Sequence, residues 1–232
     1  LPSGGGPLVF VEDLDHPVLS PEDHHHLARV RRLRDGDPLV AGDGLGRWRP
    51  ARMAAGRPES VGEAVTVDRP RPAVGVGFAL VKGTKPELVV QKLTELGVDR
   101  IVPFASARSV VRWDPGKAAA GHQRLERVAR EAAMQSRQPW IPTVEPVSDF
   151  ASLVVQPGVA IAERGGLPPG LHHPMVLVGP EGGWAPEELA ADAPRVALAT
   201  GVLRAETAAI TAAVMLVALR AGLVGPLSEG RW

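Results

Sequence analysis

Two short segments carry the residue types and spacing that could do chemistry. The first reads Leu177-Val178-Gly179-Pro180-Glu181-Gly182-Gly183-Trp184, an apolar run that breaks into a glycine-rich turn with one carboxylate. The second reads Leu198-Ala199-Thr200-Gly201-Val202-Leu203-Arg204-Ala205-Glu206-Thr207-Ala208, a short apolar run, a loop, and an Arg-x-Glu-Thr entry into a helix. Open α/β sheets bind ligands outside the carboxyl ends of their strands. Two strand exits about one helix apart can therefore wall a single crevice. Glycines let a ligand approach the main chain closely, so Gly179 to Gly183 could cradle a cofactor through backbone N–H groups. The plain alternative is a tight strand-to-helix connection, with Pro186 opening the next helix. Neither segment is followed by Gly-Lys-Ser/Thr, Lys82-Gly83-Thr84-Lys85 lacks the upstream glycine, and no G-x-G-x-x-G occurs in these turns. Triphosphate and dinucleotide binding are thereby disfavoured.

Arg204 and Glu206 flank the start of the last helix. A glutamate in a first turn is expected from the helix dipole alone, whereas a cation there is unfavourable without a partner. That partner could be an anion, a nucleobase carbonyl or Glu206 itself. A second concentration of charge lies near the N-terminus. Between residues 29 and 57 there are eight arginines, beginning with Arg29, Arg31, Arg32 and Arg34, against three acids, and Trp48 lies among them. Arginine suits bidentate phosphate contacts, so this stretch reads either as a nucleic-acid contact or as a solvated Arg-rich face. His24-His25-His26 cannot converge on one ion, because consecutive residues point around a helix. No metal site is expected.

The elements that must position these residues change character near residue 72. Before it, Leu8 to Val11 is strand-like, and Ser20-Pro21-Glu22-Asp23 opens a helix running to about Val30. Asp35-Gly36-Asp37 and Gly42-Asp43-Gly44 are turns between short strands, and Val61 to Val67 alternates like a further strand. Arg69-Pro70-Arg71-Pro72 ends this β-rich module, since prolines interrupt a ladder. Residues 73–232 then alternate. Strands are expected at Val74–Val81, Arg100–Phe104, Val159–Ala162, Met175–Val178 and Val196–Ala199. Helices are expected at Pro86–Leu96, His122–Ser136, Pro186–Ala191 and Glu206–Leu219. Such alternation implies a mostly parallel sheet with helices on both faces.

Composition bounds the function. The chain has 232 residues, no cysteine and zero formal net charge. Disulfides, thiol catalysis and Cys-based metal sites are excluded, and any nucleic-acid binding must be local. The first residues lack the apolar core of a signal peptide, and the apolar stretch Ala208–Leu219 is too short to cross a bilayer. A soluble cytoplasmic protein is expected.

Taken in order, the segments resemble the RsmE family of ribosomal RNA uridine-N3 methyltransferases, members of the SPOUT superfamily. His25-His26-Leu27-x-x-Val30-x-Arg32-Leu33-x-x-Gly36-Asp37 with Asp43-Gly44-x-Gly46 is similar to the family's N-terminal PUA-like module. Lys82-Gly83-x-Lys85, Gln91-Lys92-x-Thr94-Glu95-Leu96-Gly97-Val98, Pro103-Phe104-x-Ser106-x-Arg108-Ser109-Val110 and Arg127-Val128-Ala129-x-Glu131-Ala132-Ala133-x-Gln135-Ser136 resemble its central blocks. Gly179-Pro180-Glu181-Gly182-Gly183 and Val202-Leu203-Arg204-x-Glu206-Thr207-Ala208 are the most specific. The chain departs from the pattern at Ala199 and Gly201, where the family usually begins Leu-Gly and carries a second arginine, at Ala205 for Thr, and at Trp184 for Phe.

The resemblance implies an α/β protein with a small N-terminal PUA-like β-barrel domain (1–72) and a C-terminal SPOUT domain (73–232) with a deep trefoil knot. It implies S-adenosyl-L-methionine held by Gly179, Glu181, Gly182, Gly183, Leu198, Val202 and Leu203. Arg204 and Glu206 would be catalytic, with Arg29, Arg31, Arg32 and Arg34 on the RNA. It also implies a homodimer packed partly through the last helix, and methyl transfer to N3 of a uridine in 16S rRNA, within an assembled small ribosomal subunit. Glu206 or Glu181 could orient Arg204 or take the proton; the residues alone do not choose. Methylation of another RNA, or a non-catalytic RNA-binding role in ribosome assembly, are the alternatives.

Overall fold

A computed structural model describes residues 2–3, 5–25, 27, 32–80, 85–109, 111 and 113–225. The chain divides into two compact units, residues 1–69 with 130–141, and residues 70–129 with 142–232.

The first unit is built on β1 (Leu8–Phe10), α1 (Pro21–His25), β2 (Pro38–Gly42), β3 (Arg47–Ala54), β4 (Arg57–Ser60) and β5 (Val65–Thr66). The strand path is β1-β2-β3-β4, with β5 on β3. β1 pairs parallel with β2, Leu8 opposite Val40, and the remaining pairs are antiparallel. β3 buries Ala51 and Met53 on one face, with Leu39 and Ala41, and Trp48 on the other, with Leu8, Phe10 and Val40, so each face of the sheet carries its own apolar cluster. α1 starts as expected from Ser20: its hydroxyl accepts from Asp23 N at 3.0 Å. Asp23 is buried and paired with Arg130, whose guanidinium also donates to Phe10 O at 2.9 Å. The strand expected over Val61–Val67 shrinks to Val65–Thr66, because Val61 N goes to Pro50 O instead and Gly62 O accepts from Arg49.

The second unit holds β6 (Gly75–Ala79), α2 (Lys85–Leu96), β7 (Arg100–Ala105), α3 (Pro115–Ser136, whose residues from Arg130 onward belong to the first unit), β8 (Thr143–Val144), β9 (Ser148–Asp149), α4 (Phe150–Val154), β10 (Val159–Leu167), β11 (Met175–Val178), α5 (Pro186–Leu189), β12 (Arg195–Val196) and α6 (Ala205–Arg220). The sheet runs β12-β10-β11-β6-β7-β8, every pair parallel, with β9 also on β7. β6 and β11 are buried along their whole length, as strands covered on both faces must be. One core joins Val76, Phe78 and Ile101 to α2, α3 and α6. The other joins Val102, Phe104, Ile161 and Leu177 to α4 and Trp184.

Three expectations shift. α3 begins seven residues before His122, at an Asp114 cap whose carboxylate accepts from Lys117 N at 2.9 Å; its first two turns are polar and alanine-rich, so no apolar stripe marks them. β12 is Arg195–Val196 and not Val196–Ala199, since its partner β10 ends at Leu167, which pairs with Val196. β8, β9 and α4 went unexpected because each is five residues or shorter.

At the far end of α6, Arg220 reaches back to the sheet. Its guanidinium pairs with Asp99 and donates to Gly97 O at 2.7 Å, and Asp99 accepts from Val74 N at 2.9 Å. Both side chains are 7% exposed.

Candidate functional site

All strands of the second unit run parallel, so β10, β11 and β12 deliver their outgoing loops to one edge. There a cavity of about 290 Å³ opens, at the small end for ligand pockets. Its walls are the 179–184 turn after β11, the 198–205 loop after β12, and Ala162–Arg164 within β10. Gly179, Glu181, Gly183, Leu198, Val202 and Leu203 all line it. Gly182 does not: it stands off the lining, its carbonyl facing the Arg108 guanidinium at 3.3 Å.

The turn's geometry explains its glycines differently from the simple cradle. A side chain at Gly179 would meet the Trp184 indole at 2.8 Å, so that glycine makes room for a tryptophan. Trp184 stacks on Phe104, with ring centres 6.1 Å apart, and donates to Ala162 O at 2.9 Å. It thereby ties the turn to β7 and β10. Gly183 is the open position, with φ of 70° and nothing within 4 Å of a notional side chain. Glu188 braces the turn from behind: buried in α5, it accepts from Ala185 N at 2.8 Å and from Ala107 N at 2.9 Å. No periodicity flags such a residue; only the Glu three places after the helix entry signals its cap.

Arg204 and Glu206 flank the cavity without lining it. Arg204 is the N-cap residue of α6, exposed, with no side-chain capping bond. Among the described residues its guanidinium has no hydrogen-bond or ion-pair partner. Glu206 is therefore not its partner. Glu206 turns to Lys85, with Nζ 3.4 Å from Oε1, and the same ammonium sits 2.6 Å from Glu181 Oε1. The Glu206 side chain is 15% exposed, and its buried Oε2 has no hydrogen bond among the described residues. The Glu181 bond, then the Glu206 charge, holds the Lys85 ammonium charged above the usual 10.5. A cation with a raised value stays charged at every lower pH and gives up its charge only in stronger alkali.

The two acids thus differ: Glu181 is exposed and already bonded, Glu206 is sheltered with one oxygen unsatisfied. Glu163 and Arg164 also line the cavity, Arg164 exposed and without a side-chain partner among the described residues. Both escaped the sequence pattern because the apolar run ends at Ala162. The open wall at Ala199 and Gly201 is where this chain lacks the second arginine expected of the resemblance; a side chain at Gly201 would meet nothing within 4 Å.

Of the N-terminal cations, Arg32 and Arg34 are exposed, and Arg29 and Arg31 lie outside the described residues. Arg49, in the same basic stretch, is structural, pairing with Asp15 and Gly62 O. Among the described residues no three His, Cys, Asp or Glu side chains converge as metal ligands, and no helix is long and apolar enough to cross a membrane.

Comparison with known proteins agrees with this layout. A family model described as an RNA methyltransferase domain matches residues 68–217, and one described as an RNA methyltransferase PUA domain matches residues 19–61. The chain is 37% identical to ribosomal RNA small subunit methyltransferase E of Mycobacterium bovis over 245 aligned residues, covering 93% of this chain and 87% of that protein. Its fold matches a Legionella pneumophila methyltransferase solved with bound SAM, at TM-score 0.78 and 26% identity over 91% of this chain and 96% of that one. It equally matches ribosomal RNA small subunit methyltransferase E of Neisseria gonorrhoeae bound to S-adenosyl methionine, at TM-score 0.78 and 25% identity over 92% and 97%. With a family model matching most of its length and a relative this similar across nearly all of it, the chain belongs to the ribosomal RNA small subunit methyltransferase E family of RNA methyltransferases.

Proposed function

We propose that the protein transfers the methyl group of S-adenosylmethionine to N3 of a uridine in small-subunit ribosomal RNA. One observation carries the residue-level reading: a cavity at the carboxyl edge of the sheet has beside it a guanidinium, Arg204, and a buried carboxylate oxygen, Glu206 Oε2, neither with a hydrogen-bond partner among the described residues. An arginine at a helix N-terminus is unfavourable alone, and an unsatisfied buried acceptor costs free energy. Both are what a site awaiting its ligands looks like.

S-adenosylmethionine, when bound, supplies a methyl group already activated on a sulfonium. The backbone of 179–183 and the apolar Leu198, Val202 and Leu203 would hold its adenosine end, with Glu163 and Glu181 as counter-charges for its cationic part. The remaining task belongs to the protein: N3 of uracil carries a proton and becomes a nucleophile only when that proton leaves. Arg204 would bind the neighbouring carbonyl oxygen, where negative charge gathers as N3 is deprotonated. Glu206 Oε2 is the better proton acceptor of the two glutamates, since Glu181 is exposed and bonded to Lys85. That oxygen has almost no solvent contact. The base must also leave any pair, because N3 is its pairing donor.

The reading extends to a knotted path and a homodimer. From β11 the chain passes β10 to reach edge strand β12, then returns in α6 against β6 and β11, the order a threaded path needs. On α6, Val214 is 45% exposed beside the half-buried Ile210 and Met215, an apolar stripe suited to a second copy. An rRNA substrate goes with a cytoplasmic protein, and a pre-assembled small subunit with a target already folded.

The test is calorimetry with S-adenosylmethionine, followed by nucleoside mapping of 16S rRNA from small subunits incubated with the protein. Micromolar binding and a new 3-methyluridine are expected. A methyl on a ribose or another base would correct the specificity, and binding with no transfer would favour the non-catalytic role. Replacing Arg29, Arg31, Arg32 and Arg34 together with Ala should weaken RNA binding and flatten its salt dependence, by roughly 0.7–0.9 in log–log slope for each phosphate no longer neutralised. An unchanged slope would return those arginines to a solvated face.

A further inference from the structure

Lys85 is the first residue of α2, where the helix dipole opposes a positive charge. The helix therefore gives no reason for a lysine, and the reason lies across the site. Its ammonium is 2.6 Å from Glu181 Oε1 and 3.4 Å from Glu206 Oε1. Glu181 belongs to the turn after β11 and Glu206 to the first turn of α6, entered directly from the loop after β12. One cation thus bridges Glu181 on one cavity wall to Glu206, which flanks the other, without itself lining the cavity.

Its effect on Glu206 is asymmetric. Oε1 is engaged and Oε2 is left without a hydrogen bond. A carboxylate on a helix's first turn can rotate freely unless one oxygen is held. Holding Oε1 fixes the direction of the other oxygen. Glu181, more than half exposed, completes the bridge from the opposite wall and keeps the ammonium between the two acids.

We propose that Lys85 is a positioning residue of the methyl-transfer site, aiming Glu206 Oε2 by engaging Oε1 and linking the Glu181 turn to the start of α6. The role rests on the uridine methyl-transfer reading above. In that step the N3–H bond breaks and the proton passes to Glu206 Oε2. The electron pair left on N3 then forms the bond to the methyl carbon, whose former bonding pair stays on sulfur. Lys85 touches no reacting atom; it sets the direction from which the proton is taken.

The experiment compares unaltered protein with Lys85→Met and Lys85→Arg, using small subunits as substrate and saturating S-adenosylmethionine. Met keeps the length of the stem and removes the charge. Arg restores a cation able to reach two carboxylates. For Lys85→Met, kcat should fall about 100-fold, the scale on which a misdirected catalytic group loses rate. KM for the cofactor should stay within about threefold, since Lys85 itself does not line the cavity, and Lys85→Arg should recover most of the rate. A purely structural bridge would behave otherwise: the cofactor KM would rise, kcat at saturation would hold, and Arg would rescue nothing beyond thermal stability. That pattern, or an unchanged kcat in Lys85→Met, overturns the proposal. Failure of the unaltered protein to bind cofactor or methylate any rRNA is a separate outcome, and takes down the functional reading together with this role.

Discussion

Arg204→Ala is expected to slow methyl transfer by a factor of about 100 to 1000 while leaving cofactor affinity within about threefold. The factor is the usual loss when one preorganised donor to a developing oxyanion is removed. The separation of rate from affinity follows from placement. Leu203 and Ala205 line the cavity and Arg204 between them does not, so truncating its side chain leaves the cofactor's walls in place. Its charge is exposed and, among the described residues, unpartnered, so no fold interaction is removed and the melting temperature should move little. The substitution also removes a cation from the positive end of α6, which by itself slightly favours the helix. A variant equally stable and about 100-fold slower is thus the signature of a group that acts only on charge appearing in the transition state. Single-turnover rates at saturating cofactor, beside calorimetry on the same samples, make the comparison. Arg204→Lys should recover part of the rate, since an ammonium supplies charge but not a two-pronged contact. Full activity in Arg204→Ala would remove Arg204 from the mechanism.

Much of this site was legible before any coordinates, because its residues are adjacent in sequence. Two strand exits rich in glycine, each after an apolar run, were enough to find the cavity's two main walls. The parts that were not legible are those joined across long sequence separations. Lys85 meets Glu181 and Glu206 from 96 and 121 positions away, and nothing in the pattern around a lysine at a helix entry predicts two carboxylates. Glu188 likewise reaches Ala107 from 81 positions away. Gly179 lines the cavity as expected, but its sequence does not show that the space its missing side chain leaves is filled by Trp184. In the fold, the long alternating strands and helices declared themselves by apolar periodicity. The two-residue strands β8 and β9 did not, because period-2 alternation needs more residues than they have, and β12 was expected with its bounds misplaced. The helix segment from Arg130 onward reads as one with its preceding turns in sequence, and only packing assigns it to the first unit.

The same dependence on distant partners sets the largest expected effect on stability, at the other end of α6. Arg220→Ala should destabilise the protein by about 3–5 kcal/mol, the usual cost of removing one member of a buried ion pair. Asp99 and Arg220 are both 7% exposed, so water cannot replace the missing partner. Asp99 would keep its bond from Val74 N but lose its counter-charge, and Gly97 O would lose its guanidinium donor. Since whole domains are stable by only 5–15 kcal/mol, the variant should show a clearly lower urea midpoint. Asp99→Asn should cost less than Asp99→Ala, since the amide oxygen can still accept from Val74 N. A loss below about 1 kcal/mol for Arg220→Ala would class the pair with solvent-screened surface bridges and refute its burial as the cause. The consequence reaches the chemistry because α6 is one continuous helix. Its last residue anchors to the start of β6 and the α2–β7 turn, its first turn presents Glu206, and Arg204 caps it. A helix freed at Arg220 is held in register by its alanine-rich packing against α2, β6 and β11, without the polar anchor at its end, so at temperatures where Arg220→Ala is still folded, its methyl-transfer rate should fall more than its cofactor affinity.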